Sequence, residues 1–379
     1  MLLMYVFQTI YQNNHWDKPL LQNAAINLVL VFGSPELMLD NKLNGELSSA
    51  FPNAQIVGCS TSGEIQDDCL YDDSVCVTAI DFEHTQVQVV SSSINQFEHC
   101  AELAKQLIDQ LSFDGLKHVF VISDGHLVNG SELVDGLQQH LPKGVMATGG
   151  LAGDGERFSQ TTVWHNQQIE SGLIVLVGLY GERLSVGFGS LGGWRPFGPK
   201  RVITQSTDNV LFELDGRPAL DLYKEFLGEF SAGLPASALL YPLALQLDGE
   251  QETVVRTILS IDELQKSMLF AGNMPTGATC QLMHSNNEDL LDGAQLAAED
   301  AVSSFEGIQP ELAILISCVG RRLVLRQRVE EELEIIKQGL SAQCAISGFY
   351  SYGEISPIKS IGRCGLHNQT MAVTLFSEK

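Results

Sequence analysis

A short motif occurs twice in this chain of 379 residues and limits the folds that the chain can adopt. Residues 58–65 read GCSTSGEI and residues 348–355 read GFYSYGEI, so both copies follow the pattern Gly-x-x-(Ser/Thr)-x-Gly-Glu-Ile. Each copy comes after an apolar run and a helical pattern, and another apolar run follows it. The motif therefore belongs to a strand–helix–loop–strand unit that the chain uses near both ends.

A third, weaker copy of this unit lies between the other two. Its first strand is VFVIS (119–123), its loop is GGLAGDG (149–155), and the apolar run GLIVLVGL follows. A His-Asn step comes after this loop at His165, and the same step comes after GFYSYGEI at His367. Reuse of one supersecondary unit predicts an internal duplication and a sheet architecture assembled from similar parts.

The patterns along the rest of the chain predict the fold class. Many short apolar runs alternate with segments of helical periodicity, of which the clearest are 35–51, 96–111, 216–228, 287–305 and 328–340. Such a mixture predicts an α+β protein, with mixed or antiparallel sheets covered by helices, in two related halves. Gly and Pro in GGWRPFGPK (192–200) break both patterns, so we divide the chain into domains 1–196 and 197–379.

Composition excludes several partners and compartments. The chain has 46 Asp plus Glu against 22 Lys plus Arg, a net charge of −24, so it repels nucleic acid and acidic membrane surfaces. Its 8 cysteines form no CxxC pair, which is typical of reduced thiols in a cytosol. The N-terminus MLLMYVFQTIY has no basic region, and the longest apolar runs are too short to span a bilayer. We therefore expect a soluble cytoplasmic protein without membrane insertion.

The two GEI loops are the first candidates for a ligand site. Their glycines allow tight turns that bring backbone N–H groups close to a ligand, and their hydroxyls donate or accept hydrogen bonds. Each glutamate either binds a cation or amine, or only braces its turn, and the sequence leaves both readings open. The candidate ligand-binding residues of the loops are Gly58, Ser60, Thr61, Gly63, Glu64, Tyr350, Ser351, Tyr352, Gly353 and Glu354.

Three further residues are candidates with an equally plausible structural role. Arg321 and Arg322, in SCVGRRLVL, follow a strand and could grip a carboxylate or a haem propionate bidentately. Their alternative role is a salt bridge to the acidic helix EEELE that follows. Asp154, in GGLAGDG, either contacts a ligand or caps its turn.

The sequence contains no convincing catalytic set. It has no G-x-x-x-x-G-K-(S/T), no G-x-S-x-G around GCSTSG and no H-E-x-x-H. A thiol-dependent hydrolase using Cys318 or Cys59 is one alternative, although apolar surroundings favour buried, inert thiols. We therefore predict no catalytic residue and no enzymatic activity.

The ordered set of motifs resembles a known family. GCSTSGEI, GGLAGDG, VVRTILSID, AGNMPTGATCQLM, SCVGRR, EEELE, GFYSYGEISP and HNQTMAVTLF occur in this order and cover nearly the whole chain. Together they resemble the FIST sensory family, with its N-terminal and C-terminal parts both present. The resemblance implies a ligand-sensing input module of signal transduction that works with a histidine kinase or a cyclic-di-GMP enzyme.

One branch of that family implies a specific cofactor. The branch is a stand-alone protein that binds haem b, senses nitric oxide and modulates a partner histidine kinase. The absence of any fused kinase, receiver or GGDEF-type segment in this chain fits that branch. Haem needs an axial imidazole, and the candidates are His367 and then His165, because each adjoins a glycine loop of the matched motifs.

Two other functions stay open on the sequence alone. A FIST sensor of a small organic ligand such as an amino acid would use Arg321 for the ligand carboxylate and Glu354 or Glu64 for its amine. A pure scaffold in a kinase complex would bind no small molecule.

Overall fold

The computed structural model describes residues 4–246, 253–305, 307–358 and 362–379. Its architecture is α+β, with mixed and antiparallel sheets that carry helices on their outer faces, so the predicted fold class is confirmed. The strand–helix–strand unit occurs three times, in the order that the sequence motifs predict.

The elements fall into three repeats and one insertion. The first repeat comprises β1 (Met4–Gln12), β2 (His15–Trp16), β3 (Leu28–Gly33), α1 (Pro35–Met38), α2 (Asn41–Ala50), β4 (Gln55–Ser60), β5 (Glu64–Gln66), β6 (Cys69–Tyr71) and β7 (Ser74–Phe82). The second comprises β8 (Gln86–Ser93), α3 (Cys100–Ile108), β9 (Leu116–Ser123), α4 (Gly130–His140), β10 (Met146–Leu151), β11 (Val163–His165), β12 (Gln168–Glu170) and β13 (Leu173–Tyr180).

The third repeat begins with β14 (Leu184–Leu191) and is interrupted by the insertion. The insertion comprises β15 (Arg195–Pro196), β16 (Arg201–Thr207), β17 (Val210–Leu214), β18 (Arg217–Pro218), α5 (Ala219–Leu227), β19 (Leu243–Gln246), β20 (Thr253–Arg256), β21 (Ile258–Asp262), β22 (Ser267–Phe270) and β23 (Thr279–His284). The repeat resumes with α6 (Asn287–Ser303), β24 (Leu312–Cys318), α7 (Val319–Leu325), α8 (Val329–Gly339), β25 (Ala345–Ser351), β26 (Gly353–Ile358), β27 (Arg363–His367) and β28 (Met371–Glu378).

Each repeat builds one sheet with the same plan. Its two motif strands pair in parallel, as β3 with β4, β9 with β10 and β24 with β25. The first strand of each pair (β3, β9 or β24) also pairs with an antiparallel strand (β7, β13 or β28). A further antiparallel strand (β1, β8 or β14) lies beyond that one. A helix connects the two parallel strands, as parallel pairing requires.

The three repeats exchange hairpins in a cycle. The hairpin β5–β6 of the first repeat leaves its own sheet and pairs with β25 of the third. In turn, β26–β27 of the third repeat pairs with β10 of the second, and β11–β12 of the second pairs with β4 of the first. The molecule therefore has a pseudo-threefold arrangement in which every repeat completes the sheet of another.

Packing explains why the strands are almost wholly apolar. Phe32, Ile122 and Ile316 stand at equivalent positions of the three sheets, next to the strand ends, and belong to one buried cluster between the sheets. Helices cover the outer faces, for example through Leu133 of α4 and Leu333 of α8. Strands buried on both faces need continuous hydrophobic runs.

The insertion has a core of its own and rests on the repeats. Its buried residues, such as Tyr223 and Phe270, form a separate cluster. Hydrogen bonds join it to the repeats: Arg256 donates to the carbonyl of Leu366, and the amide of Gln369 donates to the carbonyl of Leu239.

Local signals account for where the helices differ from the predicted spans. The predicted helix 35–51 is divided into α1 and α2 because Asp40 caps a new start, accepting a hydrogen bond from the Lys42 N–H. The helix predicted over 216–228 begins only at Ala219, since the two residues before it pair as a strand. Helix α7 was not predicted, because its apolar residues continue the pattern of the preceding strand. No helix within the described residues is long and apolar enough to cross a membrane.

Candidate functional site

The loops after the three parallel strand pairs meet at the centre of the molecule. Three equivalent backbone hydrogen bonds join them in a cycle: Ser62 N–H to Tyr350 C=O (2.8 Å), Gly153 N–H to Ser60 C=O (2.9 Å) and Tyr352 N–H to Leu151 C=O (3.3 Å). The carboxyl ends of parallel strands are the usual place for a ligand site in sheets of this kind.

Beside this junction lies an open cleft of about 900 Å³, which we call the strand-end cleft. Residues that follow β3, β4, β10 and β24 form its walls, so all three repeats contribute to it. The predicted site residues that line the cleft are Thr61, Gly63, Glu64, Asp154 and Arg322. A cleft of this size suits a small organic molecule.

The two glutamates of the GEI loops are buried and bound to hydroxyl groups. Glu64 accepts hydrogen bonds from Thr61 Oγ1 (2.5 Å) and Ser74 Oγ (2.7 Å). Glu354 accepts from Ser351 Oγ (2.6 Å) and from Thr370 Oγ1 (2.9 Å). Burial raises the pKa of both carboxyls from 4.5 to about 8. Both residues brace their turns, but only Glu64 also reaches the strand-end cleft.

The second repeat holds its loop with a different residue. Its loop has Gly155 where the others have glutamate, and the buried carboxylate comes instead from Asp124, directly after β9. Asp124 accepts hydrogen bonds from Thr161 Oγ1 (2.7 Å) and Gly172 N–H (3.0 Å). Asp124 was not predicted, because it lies outside the motif GGLAGDG (149–155), directly after β9.

Asp154 organises the loop that follows it. It accepts hydrogen bonds from the backbone of Phe158, Ser159 and Gln160, and from the hydroxyl of Tyr352. Burial alone would raise the pKa of Asp154, but these hydrogen bonds outweigh it and hold the pKa below its ordinary value. The residue thus has the capping role considered above, at the edge of the cleft.

The paired arginines have separate environments. Arg321 is fully buried and forms an ion pair with Glu332 of α8 (Nε to Oε1, 2.8 Å), and it donates to the carbonyl of Leu290. Arg321 therefore has the structural role that the sequence analysis left open, a salt bridge to the acidic helix α8. Arg322 faces the strand-end cleft, where it donates to the carbonyl of Ser62 and to both carboxylate oxygens of Asp72.

The other predicted loop residues make contacts where the three loops meet, and they do not line the strand-end cleft. Ser60 and Ser351 are buried, and the Tyr350 hydroxyl donates to Glu332 (2.9 Å). The Tyr352 ring stacks on Phe158 with centroids 4.6 Å apart. Gly58 lies so close to β3 that an added Cβ would stand 1.9 Å from the Val31 carbonyl oxygen, which is why only glycine fits there. Gly353 pairs with Leu151 of the second repeat.

The two candidate histidines lie away from the strand-end cleft. His165 is half-buried on β11, with Nδ1 2.7 Å from Ser91 Oγ, and burial lowers its pKa. His367 lines a second cleft of about 510 Å³ beside Trp194 and Val254, and its Nε2 lies 3.0 Å from the Ser356 carbonyl oxygen. Within the described ranges, no group of three or more His, Cys, Asp or Glu could hold a metal ion.

The thiols considered for catalysis are inaccessible. Cys59 and Cys318 are fully buried, and burial raises the pKa of each thiol above its ordinary value of 9.0. A thiol in this state is a poor nucleophile.

Several residues of the strand-end cleft were not predicted. Ser62, Asp72, Arg157 and Arg326 contribute polar groups to its walls. Only Ser62 lies in a motif, and the other three carry no local signal that separates them from ordinary surface charges. The finished cleft places guanidinium groups and carboxylates side by side, which suits a ligand that carries both an acidic and a basic group.

Comparison with known protein families gives two matches. The FIST N domain matches residues 27–217, and the FIST C domain matches residues 219–357. Together they cover well over half of the chain. The matches meet inside the insertion, and our division between residues 196 and 197 stays a prediction.

Similar proteins occur in species of Mycobacterium and Methanocaldococcus. An uncharacterised protein of Mycobacterium tuberculosis is 26% identical over 280 residues, which is 71% of this chain and 71% of that protein. An uncharacterised protein of Mycobacterium bovis is 26% identical over 266 residues, 68% of this chain and 66% of the relative. One of Methanocaldococcus jannaschii is 22% identical over 318 residues, 76% of this chain and 59% of the relative.

Proposed function

The chain belongs to the FIST family of sensory domains, and we propose that it is a non-enzymatic cytoplasmic sensor whose small organic ligand binds in the strand-end cleft. The observation that carries this proposal is the composition of the cleft, to which all three repeats contribute side chains. A ligand there would contact the junction that holds the repeats together. Its occupancy would therefore bias the packing of the whole molecule.

The ligand class that the cleft favours is the amino acid. Arg322 offers a guanidinium to the ligand carboxylate, and Glu64 offers carboxyl oxygens to its amine. The ion pair between Arg322 and Asp72 is partly exposed, with 56% of the Asp72 side chain accessible, so little free energy is lost when a ligand carboxylate replaces Asp72. Release of Asp72 would free the turn between β6 and β7. A partner histidine kinase or cyclic-di-GMP enzyme would sense that change.

A thermal-shift screen tests the proposal. The purified protein is heated with each amino acid and with the corresponding decarboxylated amine, and an amino acid of the right side chain should raise the melting temperature. Arg322→Gln should abolish the shift, whereas Arg217→Gln, on the exposed surface of the insertion, should keep it. A wild-type protein that no amino acid stabilises, or an Arg322→Gln variant that responds normally, would refute the proposal.

A second candidate is haem b, and one observation favours it. His367 lines a cleft whose other walls include the apolar residues Trp194, Val254 and Ile358, and a haem pocket needs both an imidazole and apolar walls. Among the residues that line this cleft none is Lys or Arg, so the propionates would depend on amide groups such as that of Asn368. Bound haem would supply the iron that binds nitric oxide.

Absorption spectroscopy tests the haem candidate. After expression with added haem, the wild type should show a Soret band that shifts with nitric oxide. His367→Ala should change or lose the band, and His165→Ala serves as the matched control because His165 lines none of the clefts described above. An unchanged Soret band in His367→Ala would remove this assignment.

A further inference from the structure

A third cleft lies between the insertion and the segment that joins α7 to α8, and we call it the aromatic cleft. Its volume is about 970 Å³. Phe197, Tyr241 and His284 of the insertion form one wall, and Leu323 and Val324 of α7 form the opposite wall. The cleft adjoins the strand-end cleft, and the two share Leu240, Leu323 and Arg326 as lining residues.

The aromatic wall is an assembled surface rather than a set of isolated rings. Phe197 lies edge-on to Tyr241 and to His284, with centroid distances of 6.3 Å and 5.2 Å. Phe230, which lies beside the cleft and does not line it, adds a fourth ring 6.0 Å from that of Tyr241. Phe197 and Phe230 remain 36% and 59% exposed, so this surface keeps apolar area in contact with water. Flat ligands gain most from burying such area, since they also make edge and face contacts with the rings.

Two arginines, Arg326 and Arg328, line the aromatic cleft. Arg328 is held in ion pairs with Glu331 and Glu288, and the nearby Arg322 is held in an ion pair with Asp72. Arg326 makes no side-chain hydrogen bond or ion pair with any residue in the described part of the chain. In a protein with a net charge of −24, a guanidinium without a carboxylate partner beside a cleft is available to an incoming anion.

The backbone at this position gives a second, independent indication. Arg326 caps α7 with φ of 53° and ψ of −114°, a combination outside the regions that residues with a Cβ ordinarily occupy. A side chain with a Cβ is disfavoured there, yet the chain carries a long cationic one. Strained residues of this kind occur preferentially at ligand contacts.

We propose that the aromatic cleft is a binding site for a small aromatic anion, with its rings against Phe197 and Tyr241 and its acidic group on Arg326. This site does not rest on the amino-acid proposal for the strand-end cleft, because Arg322 and the GEI loops take no part in it. Phe197 supplies apolar contact, and Arg326 supplies the preference for negative charge.

Fluorescence titration with anilinonaphthalenesulfonate, itself an aromatic anion, tests the proposal on the full chain. The wild type should bind about one equivalent in a saturable way. Arg326→Gln should weaken binding about tenfold, as expected for loss of one charge-assisted hydrogen-bonding group. Phe197→Ala should weaken binding of both the sulfonate and its uncharged parent, phenylnaphthylamine. Arg326→Gln should leave binding of the uncharged parent unchanged.

Two further variants separate binding from structure. Arg326→Gly relaxes the positive-φ backbone, so its melting temperature should equal or exceed that of the wild type while its affinity for the sulfonate falls as in Arg326→Gln. Arg363→Gln, which removes an exposed arginine outside the cleft, should bind like the wild type. Non-saturable binding, or equal affinity of the wild type and Arg326→Gln for the sulfonate, would overturn the proposal.

Discussion

Replacement of Glu354 by glutamine should change how the stability of the protein depends on pH. Glu354 is fully buried, and its carboxyl oxygens accept hydrogen bonds from Ser351 and Thr370. Burial raises its pKa from 4.5 to about 8, although these hydrogen bonds and the charge of Arg321 act in the opposite direction. Glutamine has the same shape, and its amide can donate to the Ser351 hydroxyl while its oxygen still accepts from Thr370. The substitution therefore removes the titration and preserves the contacts.

The sign and size follow from proton linkage. At about pH 6 to pH 7 the folded state holds a proton on Glu354, whereas the unfolded state has lost it, since its pKa is near its ordinary value. The free energy of unfolding of the wild type therefore falls as the pH rises, by about 1.4 kcal/mol per pH unit for this one carboxyl. This contribution is fully present below about pH 4.5 and is lost by about pH 8. Glu64 has the same raised pKa and adds a second contribution of the same sign.

Urea unfolding at several pH values measures the effect. Between about pH 6 and about pH 7, the free energy of unfolding of Glu354→Gln minus that of the wild type should rise by about 1.4 kcal/mol for each pH unit. Glu98→Gln, at an exposed position, is the matched control variant. A constant difference for Glu354→Gln would mean that its carboxylate is ionised in the folded state, and the reasoning would fail.

Three further outcomes are expected. Glu332→Gln should lower the free energy of unfolding by about 3–5 kcal/mol because it leaves a buried guanidinium uncompensated, while Glu331→Gln in an exposed ion pair should cost less than about 1 kcal/mol in the same urea titration. Gly58→Ala should prevent stable folding because its Cβ would stand 1.9 Å from a backbone oxygen, whereas Gly45→Ala, with open space in a helix, should raise the melting temperature. A thiol reagent should modify only Cys69 quickly in the native protein and all 8 cysteines after unfolding, and fast native modification of a second thiol would contradict the burial described here.

The repeated unit and its loops were accessible to sequence reasoning. The spacing of apolar runs predicted the repeated strand–helix–strand unit, and the first glycine of each motif marks the same crowded position in all three repeats. At Gly58, Gly149 and Gly348 an added Cβ would lie within 1.9 Å of the neighbouring strand's carbonyl oxygen. The need for glycine arises from the neighbouring strand of the same repeated unit, so glycine recurs at the same place in each copy of the motif.

The partners of individual charged residues were not accessible in the same way. Arg321 and Arg322 are adjacent in the chain, yet one is buried against α8 and the other faces the strand-end cleft. Successive residues of a helix point in different directions, and only the surrounding elements decide which direction is buried. Likewise, Asp124 replaces the missing glutamate of the second repeat from a different strand.

The sequence by itself determined the α+β class, the repeated unit and the loops that face the centre, because hydrophobic periodicity and glycine placement are properties of short segments. Only the tertiary structure decided that each repeat gives its hairpin to another repeat's sheet, and therefore which loops share the strand-end cleft. Strand pairing across more than a hundred residues depends on the edge that is left open after the local units have formed, and no segment carries that information alone.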